Sequence, residues 1–412
     1  MRKLQDLFEK QIQERLKFSN FVANIIEEEL IKKGIQLTSA QKSQLIDGLQ
    51  KTKDNIKEGI NIQIGDDGNL YVTNKNGGAE INIDITEGAD VKMREIIEDI
   101  PSIINNSVET ESKVYLAGIK KRASSILRER RKEQRGFNKH LNNKWGKVLD
   151  LLEVFILVSE EIGSEFNNVI RGDTDRGTSP RFEVLSRSHA RSCQIALEIL
   201  SLLRNGFADG AHARWRTLHE IAVKTNIINK NEDDLARKYL DHDLVLKLQT
   251  ARAFSKYDQT HGGENVTKEE LEDLEIACKE LGRLYGQDFL NENGWAVGLT
   301  GKGRITFSKL ESLAEFAHMR PTYKMACLNV HGGSRGLLFR LGLSYEGDEE
   351  ILLSGSSVFG LSNPVQNTAY SLLQITSALL TYDVNLDYLV AMNVLFELEQ
   401  EIFEVTDQML HV

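Results

Sequence analysis

Proline is scarce in this chain, and its scarcity constrains the fold more than any other feature. Only four prolines interrupt 412 residues, at positions 101, 180, 321 and 364. Proline removes a backbone donor and clashes with the preceding helical turn, so a chain with few prolines favours long helices. Apolar residues recur at helical spacing over most of the sequence. We therefore expect a mainly α-helical protein with a multi-helix bundle in its C-terminal part.

One short stretch departs from helical spacing. Residues 60–85 alternate apolar and polar side chains (INIQI, NLYV, INIDI) around two turns rich in Asp, Asn and Gly. This alternation predicts a small antiparallel β-meander of three strands. Two amphipathic helices are expected before it, over 1–33 and 39–59, with Thr38 and Gln41 placed as a capping box.

Composition and spacing predict four segments. They are N-terminal amphipathic helices (1–59), the β-meander (60–90), a helical linker region with a basic helix (91–170) and a helical bundle domain (171–412). The polar run Arg171–Pro180 (RGDTDRGTSP) is the clearest domain boundary. The expected helices lie near 91–106, 109–135, 143–164, 181–204, 208–229, 232–256, 267–285, 308–331, 364–382 and 384–406. Asn231 and Thr267 are predicted N-caps, and Glu270 completes a capping box.

Charge is distributed unevenly along the chain. The formal net charge is -10, yet residues 119–147 contain eleven Lys and Arg against two Glu. Such a basic helix can attract the phosphates of RNA through counterion release, or it can dock on the acidic remainder of the fold. The sequence leaves both open.

Several classes of protein are disfavoured. The longest apolar run, residues 154–159, is too short to cross a bilayer, and no signal-peptide core follows Met1. Three well-separated cysteines argue for a reducing, cytoplasmic setting without a disulfide framework. The sequence contains no HExxH or CxxC motif, no GxSxG elbow and no GxGxxG after a strand, so we expect no metal and no cofactor.

The densest group of reactive side chains lies between Ala208 and Glu220 (ADGAHARWRTLHE). On a helix, His212, Arg216, His219 and Glu220 form one polar stripe. Two imidazoles, a guanidinium and a carboxylate suit a site that holds an anion and moves a proton. The same residues also suit a structural network, with Arg216 and Glu220 as an intrahelical ion pair and Arg214 paired to an acid such as Asp233, Asp234 or Asp241.

Two further groups are candidates. Tyr239, Asp241 and His242 follow a turn near residue 230, which would return them alongside the stripe as supporting groups that orient its imidazoles. The third group comprises Arg320, Tyr323, His331 and Arg335, around HGGSRG. It predicts either a helix stop at the Gly-Gly pair or a phosphate-binding cluster.

An arginine followed after four residues by a histidine, here Arg214 and His219, is similar to the motif of the HEPN superfamily. The resemblance implies a metal-independent endoribonuclease in which two copies of the motif meet across a dimer and the 2'-hydroxyl attacks. By this resemblance Arg214 would hold the scissile phosphate and His219 would transfer a proton. Arg216, from the same stripe, completes the expected catalytic site. We accordingly expect a homodimer or higher homo-oligomer, with RNA as the substrate and no membrane partner.

A longer stretch, GFADGAHARWRTLHEIAV followed by LARKYLDH, resembles an uncharacterised family of bacterial helical proteins over about residues 182–379. A loose likeness to helical phage-defence proteins points the same way as the nuclease motif. Two alternatives stay open: a non-catalytic helical scaffold or sensor with a structural Arg/His/Glu network, and a small-nucleotide binding module. The scaffold would bury the stripe in satisfied pairs, whereas the nuclease needs His219 exposed beside arginine.

Overall fold

A computed structural model describes residues 17–51, 60–64, 70–74, 85–257, 266–299, 304–343 and 354–410, together with residues 9 and 13. The fold is mainly α-helical, as the sequence predicts. Its helices are α1 (Phe18–Lys32), α2 (Ser39–Lys51), α3 (Ile85–Arg171), α4 (Pro180–Arg204), α5 (Ala208–Asn229), α6 (Asp233–Asp241), α7 (Asp243–Tyr257), α8 (Lys268–Tyr285), α9 (Phe307–Leu313), α10 (Arg320–Leu328), α11 (Ser334–Leu338), α12 (Ser362–Leu380) and α13 (Leu386–Leu410). Two strands, β1 (Ile60–Ile64) and β2 (Leu70–Asn74), complete the described elements.

The chain divides into two compact units, residues 1–127 and 128–412. The division falls inside α3, within the segment that the sequence predicts as a helical linker. The polar run Arg171–Pro180, predicted as a domain boundary, is the connection between α3 and α4 within the second unit. There Ser179 caps α4 by accepting from the backbone N–H of Phe182, with Pro180 in the first turn.

The first unit contains a small core between α1 and α2. Buried Val22, Ile26 and Leu45 form part of this core, and Val72 of β2 packs against it. The predicted capping box of α2 is confirmed, because the Thr38 amide donates to Gln41 Oε1 at 2.9 Å and the Gln41 amide donates to Thr38 Oγ1 at 3.3 Å.

The β-region is partly as predicted. Strands β1 and β2 pair in antiparallel register, with Ile62 opposite Val72. The third predicted strand falls mostly on residues 81–84, outside the described part of the chain. The predicted limit of the meander at residue 90 is wrong, because α3 begins at Ile85.

The three helices expected between 91 and 164 are one continuous helix, α3. Pro101 and the polar stretch near residue 136 do not end it. A glycine or asparagine inside a helix costs only about 1 kcal/mol or less, which the flanking turns offset. Gln134 also donates to Asn138 Oδ1 at 2.8 Å, one turn later, across the expected break.

Two expected helices of the second unit are broken. The helix predicted over 232–256 is α6 and α7, separated at His242. The N-cap of α6 is Glu232 and not Asn231, whose side-chain Nδ2 donates back to the Ile227 carbonyl at 2.7 Å. The helix predicted over 308–331 is α9, a short 3-10 turn and α10. Glu315, at φ 66°, takes the left-handed conformation that ends α9.

The main core of the second unit joins α4, α5 and α12 with the last third of α3. Gly206, at φ 75°, turns the chain from α4 into α5. A Cβ at this glycine would lie 2.6 Å from Phe137 Cζ and 2.7 Å from the Ser357 carbonyl oxygen, so the turn needs glycine for space as well as for conformation.

Among the helices that the structure describes, none is long and apolar enough to span a bilayer.

Candidate functional site

Trp215 fixes the orientation of α5. Its side chain is fully buried, and its indole N–H donates to the Asn367 carbonyl at 2.9 Å and to Ser371 Oγ at 3.0 Å, both on α12. His212 and His219 flank this indole on the same face, with ring centroids 5.4 and 5.2 Å away. Both imidazoles therefore point into the core.

His219 is paired to a carboxylate that the sequence analysis did not select. Its Nε2 lies 3.1 Å from Glu311 Oε1 of α9, and each side chain is 1% exposed. The second oxygen of Glu311 accepts from Arg320 Nη1 at 2.7 Å. The rings of Phe307 and Phe316 enclose the imidazole at 6.0 and 6.2 Å. Both oxygens of Glu311 therefore have partners, which offsets the cost of removing this carboxylate from water.

Tyr323 of α10 connects this pair to the rest of the stripe. Its hydroxyl donates to Glu220 Oε1 at 2.7 Å and accepts from Arg216 Nε at 3.0 Å. Burial, followed by the hydrogen bond to Glu220, raises the pKa of the phenol. The guanidinium groups of Arg216 and Arg320 each lie 5.4 Å from the Tyr323 ring centroid, within cation-π distance.

We use the name network for His219, Glu311, Arg320, Tyr323, Arg216 and Glu220. Arg216 and Glu220 also form the expected intrahelical ion pair, at 3.1 Å. The network links one face of α5 to α9 and α10. Of the third predicted group, two residues belong to the network and two lie on the surface. Arg320 and Tyr323 belong to it. His331 and Arg335 are exposed, and the guanidinium of Arg335 lies over Phe339 instead.

Arg214 points away from the network. Its Nε forms an ion pair with Glu198 of α4, and its Nη1 is 3.4 Å from Thr217 Oγ1. The acid that pairs it is therefore on the preceding helix, and the proposed partners on α6 were wrong. The two residues of the Arg–His motif, Arg214 and His219, do not converge on one point.

His212 is the unsatisfied member of the stripe. It is fully buried, stacked on Trp215, and within the described chain neither of its ring nitrogens has a hydrogen-bond partner. Burial lowers its pKa to about 4, against the opposing charge of Asp209. The imidazole is therefore neutral near pH 7.

Tyr239, Asp241 and His242 do not orient the stripe as predicted. Tyr239 packs edge-on against Trp295 at 5.0 Å. Asp241 Oδ2 accepts from the Tyr285 hydroxyl at 2.7 Å, and His242 Nε2 lies 2.8 Å from the Asn291 carbonyl oxygen. Burial lowers the pKa of His242. Helix α6 packs against α4, and these side chains contact the segment around residues 285–295.

A cavity of about 460 Å³ lies elsewhere, between α3 and α4. His189 and Cys193 line it, with the thiol 3.6 Å from the imidazole Nε2. Burial lowers the pKa of His189 to about 4 and raises the pKa of Cys193 to about 12. Both groups are neutral near pH 7, so this pair supplies no thiolate nucleophile.

The described residues contain no group of three or more His, Cys, Asp and Glu side chains arranged to hold a metal ion. The network thus offers one buried His–Glu pair, one tyrosine, and the partly exposed Arg216, Arg320 and Glu220.

Comparison with known proteins identifies one family. Residues 182–350 match the model of a family of unknown function (DUF5677). The match confirms the resemblance to an uncharacterised family that the sequence predicts, and it covers the network on α5, α9 and α10. No curated protein and no solved structure shows significant similarity to the chain.

Proposed function

We propose that residues 128–412 act as a non-catalytic helical scaffold or sensor module, in which the network is a structural clamp. The observation that carries the proposal is the burial of His219 and Glu311, each 1% exposed and each other's partner. A general acid or base must come within hydrogen-bond distance of the group that it protonates or deprotonates. In this arrangement the Nε2 atom of His219 lies against Glu311, and a side chain that is 1% exposed offers no access to a substrate.

The clamp has a clear mechanical role. Helix α9 has only seven residues and α10 has nine, so neither is stable by itself. The His219–Glu311 pair attaches α9 to α5, and the Tyr323 hydroxyl, between Glu220 and Arg216, attaches α10 to the same helix. Removing one partner of a buried hydrogen-bonded pair typically costs about 1–3 kcal/mol, because the other polar group is left without a partner.

The second candidate is a metal-independent endoribonuclease or related nucleic-acid-handling effector in phage defence. The rim of the network favours it, because Arg216 and Arg320 are 26% and 31% exposed and their guanidinium groups lie on the same tyrosine ring above the buried pair. Guanidinium is the side chain best suited to hold a phosphate with two hydrogen bonds. This function requires α9 to move, so that His219 becomes accessible, and a second copy to complete the site.

RNA integrity in expressing cells separates the two candidates. We would compare wild type with Arg214→Ala, Arg216→Ala, His219→Ala and His219→Gln, and take the thermal melt of each purified protein. Arg252→Ala is the matched control, since Arg252 is an exposed, ion-paired arginine on α7 outside the network.

The scaffold proposal predicts intact RNA in every strain and a melting temperature lowered by several degrees in the His219 variants, with the Arg252 control unchanged. RNA cleavage by wild type that disappears in His219→Gln at an unchanged melting temperature would overturn it and establish the nuclease.

A further inference from the structure

Helix α3 carries a stripe of exposed basic side chains where it enters the second unit. Five of the six basic residues between 128 and 139 recur at steps of three and four, which places them on one side of the helix. At 3.6 residues per turn they fall within about 100° around the helix axis, and Glu129 and Glu133 lie outside this sector. We use the name basic stripe for these five exposed residues: Arg128, Arg131, Lys132, Arg135 and Lys139.

The basic stripe is not paired with the acidic remainder of the fold. Within the described chain, none of its five side chains forms an ion pair, and the neighbouring Arg130 pairs only with Glu133 of the same helix, at 3.5 Å. Of the two roles that the sequence leaves open for this helix, docking on acidic residues is thus not observed among the described residues. Like charges one helical turn apart repel one another, so an anionic partner would stabilise the stripe.

The surroundings of the basic stripe decide which anionic partner fits it. Between residues 128 and 147, all of which the structure describes, no large apolar side chain is exposed. A helix that lies on an anionic membrane inserts an apolar face beside its cations, and a protein interface buries aromatic or aliphatic residues at its centre. The stripe offers neither. It fits a nucleic-acid backbone, to which binding is largely electrostatic.

The aromatic residues of this stretch argue against a single-stranded partner. Its only Phe, Tyr and Trp residues are Phe137 and Trp145, and both pack against the core of the second unit. No such ring is therefore free to stack on unpaired bases, which is how proteins commonly hold single strands. A rigid row of cations about 17 Å long, at 1.5 Å per residue, suits the regular phosphates of a duplex.

The shape of the groove favours RNA over DNA. The major groove of A-form RNA is deep and narrow, so the phosphates of its two strands lie close together and one row of cations can contact both. The major groove of B-form DNA is about 12 Å wide, which separates the phosphates of its two strands.

We propose that the basic stripe binds the phosphate backbone of double-stranded RNA, without regard to base sequence. The three arginines can each hold a phosphate with two hydrogen bonds, and the two lysines supply point charges. The stripe shares no residue with the network. The proposal is therefore independent of whether the network is structural or catalytic, and the experiment on RNA integrity can fail without affecting it.

Binding of a short, fluorescently labelled RNA duplex to the full chain tests the proposal. Fluorescence anisotropy gives the dissociation constant between about 50 and 200 mM salt. The stripe variant combines Arg128→Gln, Arg131→Gln, Lys132→Gln, Arg135→Gln and Lys139→Gln. A control variant changes the net charge by the same amount at exposed residues of α6 and α8 and of α7 between them: Arg237→Gln, Lys247→Gln, Lys268→Gln, Lys279→Gln and Arg283→Gln. Circular dichroism and a thermal melt verify that each variant is folded.

We expect wild type and the control variant to bind the duplex, with an affinity that falls by about 10²–10³ between 50 and 200 mM salt. The stripe variant should bind at least about a hundredfold more weakly at 50 mM salt, and its slope of log affinity against log salt should be smaller by about one per replaced residue. Failure of wild type to bind would overturn the proposal. So would equal weakening in the stripe and control variants, because net charge alone would then explain the binding.

Competition identifies the partner of the basic stripe. The competitors are a DNA duplex of the same sequence, one of the two RNA strands alone, and vesicles that contain phosphatidylserine. We expect unlabelled RNA duplex to displace the labelled duplex at a lower concentration than any of the three. Displacement by one of them at an equal or lower concentration would show that the assignment to double-stranded RNA is wrong.

Discussion

His212 makes the stability of the second unit sensitive to mild acid. The imidazole is fully buried against Trp215, and its charged form would have no hydrogen-bond acceptor within the described residues. Its folded-state pKa is therefore about 4, compared with 6.5 in an unfolded chain. We therefore compare the melting temperatures of wild type and His212→Leu at pH 7.5 and at pH 5.

The size of the effect follows from proton linkage. A base whose pKa is lowered by folding contributes fully to stability above 6.5, and the contribution is lost as the pH falls towards 4. Each pH unit in this window costs about 1.4 kcal/mol, so the 1.5 units between 6.5 and 5 cost about 2 kcal/mol. For a unit of this size the loss corresponds to about 4–8 °C in melting temperature.

Calorimetry of the two proteins at both pH values isolates this contribution. His189 also has a lowered pKa, of about 4, but it is protonated to the same extent in both proteins. The difference between their changes in melting temperature therefore reports His212 alone. Leucine has a volume close to that of histidine and leaves no unpaired nitrogen atoms, so we expect unchanged or slightly greater stability at pH 7.5. We expect the fall in melting temperature at pH 5 to be about 4–8 °C smaller than in wild type. Equal falls in the two proteins would show that His212 does not contribute to the acid sensitivity.

Two further substitutions test local packing and capping. Gly163→Ala on α3 would place a Cβ 2.1 Å from His189 Cε1, so we expect a loss of about 1–3 kcal/mol in urea unfolding. Gly118→Ala on the same helix meets nothing within 4 Å and should stabilise, and a loss of equal size there would contradict the packing argument. Thr267→Ala removes the side-chain bond to the Glu270 amide and should lower the free energy of unfolding by about 1 kcal/mol; an unchanged value would mean that the capping box contributes nothing.

Helix positions could be predicted where a local signal marks an end. The limits of α4 and α5 follow from Ser179, Pro180 and Gly206, whose effects depend only on neighbouring backbone. The length of α3 could not be predicted in the same way. Its glycines and asparagines weaken a helix without ending it, and the outcome depends on the total stability of the flanking turns.

The site could be predicted only in part. The spacing of α5 correctly places Arg216 and Glu220 together, because their contact is within one helix. Glu311 was missed because it is one of 61 acidic residues, and only the fold places it beside His219. Arg214 and His219 are close in sequence yet diverge in space, since Trp215 directs its own face of α5 into the core. Short motifs specify which residues are adjacent along a helix and not which neighbour each one contacts.

The separation of Tyr239, Asp241 and His242 from the stripe also depends on the fold. Helix α6, which carries Tyr239 and Asp241, packs against α4. Asp241 and His242 contact Tyr285 and Asn291, which are more than forty residues later in the chain.

A double-mutant cycle shows whether the buried His219–Glu311 pair fastens α9 to α5. We would measure the free energy of unfolding in urea, at pH 7, for wild type, His219→Leu, Glu311→Leu and the double variant. We expect that each single substitution destabilises and that the double costs less than their sum, with a coupling energy of about 1–3 kcal/mol. Additive effects, with a coupling energy near zero, would contradict the structural clamp.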